Sequence, residues 1–179
     1  TLHPLIREIT LDDKKPSISN CEIFIAGIHN LCLMHGADLP YHNTMFKVIE
    51  NIILLAEKDD TDKYKMFIKD AFAYMEKYAY QSGMKLIISE LETMVHNNDD
   101  RVLIFDYKSA YEHICNQNIS DALEYELQAV NLCDENTNPH LTANIYANTG
   151  GLYHASGDVF KSKEFMEKAY HILTENNLQ

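Results

Sequence analysis

The sequence predicts an all-α fold of about eight helices in four antiparallel helical hairpins, and three observations carry that prediction. Turn-formers are scarce. There are 6 Gly and 4 Pro in 179 residues, against 46% hydrophobic residues, a balance that favours packed helices over a turn-rich β fold. Apolar residues recur three and four apart in one segment after another, each closed by a short polar cluster. The second half of the chain also matches itself at a shift of 40 residues, a period that stacked helical hairpins produce.

The elements follow in order. Ser19 with Glu22 fits a capping box and opens "CEIFIAGIHNLCLM", where Phe24, Ile28 and Leu31 fall at helical spacing. After the loop "GADLPYHN" comes a second amphipathic helix, "TMFKVIENIILLAEK", which "DDTD" ends. The third, "KYKMFIKDAFAYMEKYAY", counts Met66, Ala73 and Met75 among its apolar positions, and "QSG" breaks it. "MKLIISELETMV" is the fourth, ended by "HNNDD". "RVLIFDYKSAYEHIC" is the fifth; "NQN" turns the chain, and Ser120 is the expected N-cap of the sixth, "DALEYELQAVNLC". Asn138 and Pro139 supply a cap and a first-turn proline for the seventh, "HLTANIYANTGGLYHAS". "GD" then turns into the eighth, "VFKSKEFMEKAYHILTE".

In the 40-residue shift Ala110 falls on Gly150, Asn118 on Asp158, Ile119 on Val159, Ala122 on Ser162, Ala129 on Ala169 and Leu132 on Ile172. Small residues meet small, turn residues meet turn and apolar meets apolar. The stretch "TGGLYHASGDVFKSKEFMEKAYHIL" resembles a tetratricopeptide repeat. It does so through Gly150, Tyr153, Gly157 with Asp158, Ser162, Met166 and Ala169, with Tyr146 where the family often has tryptophan. The unit before it matches through Ala110, Asn118, Ala122 and Ala129, and departs in carrying His113 for the aromatic and Glu126 in the large apolar slot. The long period is similar to the repeats of kinesin light chains and of sensory arrays in bacterial transcription activators and diguanylate cyclases. The resemblance implies a tetratricopeptide-like α-solenoid. It divides the chain into an N-terminal extension (1–18), degenerate hairpins (19–100) and two recognisable repeats (101–179) in one continuous solenoid domain.

Charge and motifs narrow the function. The net charge is −12, from 15 basic and 27 acidic residues spread along the chain, and no clustered basic face is present for nucleic acid or an anionic membrane surface. No apolar run approaches the roughly 18 residues that span a bilayer. The N-terminus has no basic head, apolar region or cleavage site, and no initiator Met, so the chain is expected to be a piece of something longer. Cys21, Cys32, Cys115 and Cys133 lie far apart and read as small buried hydrophobes of a reducing, cytoplasmic setting.

"HNLCLMHGADLPYH" offers His29, Cys32, His35, Asp38 and His42, but His35 turns off the face that His29 and Cys32 share, and no second cluster has zinc-like spacing. The stretch from Asp59 to Asp70 fails as a calcium loop because Tyr64 holds the glycine position. No phosphate loop, nucleophile elbow or HExxH occurs, and no carboxylate pair is singled out by an apolar setting. No metal, cofactor or enzymatic activity is expected.

In tetratricopeptide stacks the first helix of each hairpin lines a concave face. The resemblance therefore implies a groove presenting Ile104, Tyr107, Lys108, Tyr111 and Ile114 from one repeat and Asn144, Ala147, Asn148, Gly151 and His154 from the next. Asn144 and Asn148 are four apart, suited to pairing with an extended backbone, and Tyr107 and Tyr111 would add aromatic anchors. The lysine–asparagine clamp of the chaperone-binding subtype is missing, since its slots hold Tyr107, Tyr111, Ala147 and Gly151.

Phe165, Ala169 and Ile172 are expected to form an uncovered end face for a homodimer partner or an attached C-terminal output domain. The leading expectation is a non-enzymatic regulatory or scaffold domain that binds a protein segment or peptide, as the input of a bacterial signalling regulator. The rival readings are a structural oligomerisation module with a self-filled groove, and an enzyme or sensor that uses the histidines. Within "ANTGGLYHASGD", Gly150 is expected to sit where the two helices of a hairpin come closest, and Gly151 to face the groove.

Overall fold

The computed structural model describes residues 16–33 and 42–177, and among them the fold is all-α. Its eight helices are α1 (Glu22–Leu33), α2 (His42–Leu55), α3 (Thr61–Lys77), α4 (Gln81–Thr93), α5 (Asn98–Ile114), α6 (Ile119–Leu132), α7 (Pro139–Ala155) and α8 (Val159–Glu175). The chain divides into two compact units within α4, between Ile87 and Ile88. The repeat reading places its boundary later, at 100/101.

The first unit is built on α1, α2 and α3. Its core includes Ile18, Ile28, Ile49, Phe67, Ile68 and Met75. Ile18, assigned above to an extension, belongs to this core. Ile18 is fully buried, its N–H donates to the Glu57 carbonyl at 3.0 Å, and the Glu57 N–H donates to the Pro16 carbonyl at 2.7 Å. Ser19 does not open α1 directly: Ser19–Cys21 form one turn of 3-10 helix, and the Ser19 N–H is held by Asp59 Oδ1 at 3.1 Å. On α3, Met75 is buried while Met66 and Ala73 lie on the exposed side. His42 Nδ1 lies 2.8 Å from Tyr74 Oη, beside the stacked rings of Phe46 and Tyr80.

The second unit joins the end of α4 to two hairpins, α5–α6 and α7–α8, with α7 packed against α6 and α5. Val102, Ala129 and Ile145, one from each of α5, α6 and α7, form its buried centre. Side-chain caps fix the helix starts. Asn97, Asn118, Asn138 and Asp158 accept from the backbone N–H of Asp100, Asp121, His140 and Lys161 respectively. The cap of α6 is therefore Asn118, and Ser120 sits inside the first turn, because Asn118 stands at the helix boundary with its amide oxygen 3.2 Å from the Asp121 N–H.

The turn between α6 and α7 is held from both sides. Asp134 Oδ1 accepts from the Asn136 and Thr137 N–H groups, and Asn98 Nδ2 donates to the Leu132 carbonyl at 2.6 Å. Gly157, at φ +89°, makes the turn between α7 and α8, a conformation that L side chains rarely adopt.

Candidate functional site

The adjacent glycines of α7 separate as the repeat logic requires. A methyl group added at Gly150 would meet Met166 Cγ at 3.0 Å and the Ser162 carbonyl oxygen at 3.1 Å, so α8 packs tightly against α7 here. A methyl at Gly151 would meet nothing within 4 Å. Gly151 shares its side of α7 with Asn144, Asn148 and His154, all exposed. At 100° per residue these four lie within about 120° of one another. The strip from Asn144 to His154 runs about 15 Å along the helix, the length of four or five residues of extended chain.

The matching strip on α5 is different. Tyr107 and Tyr111, expected as projecting anchors, are only 7% and 6% exposed, and Ile104 is buried with them. Ile114 is half-buried. Lys108 is engaged: its Nζ lies 2.7 Å from Glu92 Oε1 at the end of α4, and 5.8 and 5.9 Å from the ring centres of Phe105 and Tyr125. The physical reason is position. α5 packs against α6 and α7 and is tied to the end of α4 through Lys108, and most of its groove-side residues are buried. The α7 strip remains open.

Next to the α7 strip lies a pair of acids that the sequence reading passed over, joined to it through Asn148. Glu126, in the slot where the repeat pattern calls for a large apolar residue, is 1% exposed. The Ser109 hydroxyl donates to its carboxyl, while Oε1 is buried with no hydrogen-bond partner. Burial, and then the nearby charge of Asp106, push the Glu126 carboxyl up to about 9. Asp106 is partly buried; its Oδ1 accepts from Asn148 Nδ2 at 2.8 Å, and burial raises its carboxyl to about 6 against that stabilising bond. The two titrate as one coupled system that holds a proton at neutral pH. This corrects the expectation that no carboxylate pair sits in an apolar setting. The signal was in the repeat: the 40-residue shift sets Asp106 on Tyr146 and Glu126 on Met166.

Other features fall outside this site. An open hollow of about 560 Å³ lies at the far edge of α7–α8, on Tyr146, Glu164, Lys168 and Ile172. Of the end face expected at Phe165, Ala169 and Ile172, the first two are turned inward, while Ile172 is half-buried and lines this hollow. Phe165 is 8% exposed, packed beneath the rings of Tyr146 and Tyr153, and Ala169 is buried. The exposed apolar residues of α8 are Val159, Phe160, Met166 and Tyr170, with Phe160 at 90%.

Of the histidine-rich motif, His35 and Asp38 and the side chains of His29 and Cys32 lie outside the described residues. Among the described residues no group of three or more His, Cys, Asp or Glu side chains is placed to hold a metal ion. None of the described helices is long and apolar enough to cross a membrane. Comparison of the chain with protein-family models, with curated proteins and with solved structures returns no match.

Proposed function

We propose that this chain is a tetratricopeptide-like, non-enzymatic binding domain that takes an extended protein segment along the exposed strip of α7. The observation that carries this reading is the strip itself: Asn144, Asn148, Gly151 and His154 stand exposed in register, with open space over Gly151. An asparagine amide can donate to and accept from a peptide backbone at once, and a glycine lets that backbone approach closely. Asn148 spends one donor on Asp106 and keeps its carbonyl oxygen available. A regulatory or scaffold role follows from such binding, with the segment as input and an attached domain as output. Selection from a peptide library tests the reading. Binders are expected to lose affinity to Gly151→Leu, which fills the open space, with the circular dichroism spectrum unchanged. Binders indifferent to both Gly151→Leu and Asn144→Ala would place the site elsewhere.

A second reading, an oligomerisation module, is favoured by the apolar exposure of α8, where Val159, Phe160 and Tyr170 stand in solvent. Light scattering at micromolar concentration separates the two. A dimer that Phe160→Glu converts to monomer supports association through α8, and a monomer removes it.

A further inference from the structure

Inside the second unit two acids lie near enough for the charge of Asp106 to raise the proton affinity of Glu126, and among the described residues neither forms an ion pair with a basic side chain. Glu126 Oε1 is sealed from solvent without a donor. An ionised carboxylate offers about four acceptor sites, and Asp106 has one donor, Asn148. The nearest basic residue along α5, Lys108, is committed to Glu92 at 2.7 Å. Glu126 keeps its proton at neutral pH, so the charge of the pair sits on Asp106, which has no cation beside it among the described residues. Asp106 is the accessible member, partly exposed beside the exposed Asn148.

The missing charge is better matched by an organic cation than by a metal ion. Two carboxylates, a hydroxyl and an amide make a thin donor set for a divalent metal. A guanidinium carries five donors in a planar fork that fits carboxylate oxygens, and its weaker hydration suits a half-buried site. The chain's net charge of −12 draws basic segments to it.

We propose that the segment bound on α7 is held through a basic side chain, best an arginine, whose cation seats on Asp106 beside Asn148 with Glu126 behind it. This rests on the peptide-binding reading above and names the chemistry of its partner. The groups that act on the seat are Asp106 from α5, Glu126 with the Cys133 thiol from the end of α6, and the uncharged Asn148 from α7; Asp99 and Asp134 act on Cys133 from the α5 start and the loop. A cation arriving at Asp106 favours its ionised form, so binding releases protons and strengthens as pH rises through about 6.

The test uses butylguanidinium chloride as the probe, titrated into ¹⁵N-labelled protein against sodium chloride at equal ionic strength. The side-chain amide of Asn148 is the reporter. The expected result is a saturable shift of that amide, with affinity about tenfold weaker at pH 5 than at pH 7, as Asp106 takes up its proton. Asp106→Asn should abolish the shift, and Glu126→Gln should weaken it less. Absence of a saturable shift, or a shift that survives Asp106→Asn, overturns the proposal. Should Asp106→Asn fail to fold, equal affinity at the two pH values in the unaltered protein overturns it alone. A saturable shift without any library binder would leave the cation seat standing and remove the peptide reading. Library binders that lack a basic residue yet respond to Gly151→Leu would do the reverse.

Discussion

The hairpins α5–α6 and α7–α8 are built on one plan and packed with opposite chemistry. Each brings an aromatic from its second helix to the first: Tyr125 stacks on Phe105 at 6.4 Å, and Phe165 meets Tyr146 and Tyr153 at 5.9 and 5.5 Å. Each buries one hydroxyl on its first helix. In α7 the Thr149 hydroxyl closes on its own helix, donating to the Ile145 carbonyl at 2.7 Å, whereas in α5 the Ser109 hydroxyl serves Glu126. Where α7–α8 carries Tyr146 and Met166, α5–α6 carries Asp106 and Glu126. A buried carboxyl that lacks a partner costs stability that a thioether does not. The first hairpin therefore holds a buried, proton-holding carboxyl at the position where the second carries the partly exposed Met166. A cost of this kind next to the exposed Asn148 strip is expected of a site rather than of packing.

The comparison can be broken most forcefully in the second hairpin. Gly150→Leu puts a side chain where Met166 and the Ser162 carbonyl already stand, and is expected to lower stability by about 2–3 kcal/mol, read as a urea midpoint. An unchanged midpoint would mean that the close approach of α7 and α8 is not a constraint.

The next effect belongs to the first hairpin. Glu126 has its proton affinity raised on folding, so its contribution is fully present below the carboxyl's ordinary value of 4.5 and is lost as pH climbs towards about 9. Glu126→Gln should therefore stabilise the protein by about 1–2 kcal/mol at pH 8, with the advantage shrinking towards pH 4. Thermal melts of both proteins across that range test it, and parallel melting profiles would show that the carboxyl is not buried neutral.

Removing the matched caps asks whether the two second helices are equally dependent on their starts. Asn118→Ala and Asp158→Ala should each cost about 1 kcal/mol. A negligible loss for either would mean that packing alone holds that helix. The smallest change is Gly151→Ala, which adds a methyl in open space on a helix and should stabilise by about 0.5–1 kcal/mol. A loss there would show that the space over Gly151 is filled.

Much of the fold was legible because it rests on local chemistry. Eight helices, the turn at Gly157 and the Asn138–Pro139 start follow from apolar spacing, backbone freedom and capping, all of which act within a few residues. The distinction between Gly150 and Gly151 was also legible, because a repeat of fixed period tells which face each position occupies. The α6 cap was less so, since Asn118 and Ser120 are both good caps two residues apart and the choice depends on where the helix begins. The exposed face of α8 was misread for a related reason: the pattern marks Phe165 and Ala169 as apolar without saying that α7 covers them.

The sequence by itself determined the class of fold and the helices among the described residues, because these depend on periodicity along one helix, whereas the α7 strip was read from the resemblance to tetratricopeptide repeats. Only the tertiary structure decided that Tyr107 and Tyr111 are withdrawn into packing, since that depends on how many helices flank α5. It alone decided that Asp106 and Glu126 act together: they stand twenty positions apart on different helices, and only folding removes both from water and sets Asn148 against one of them.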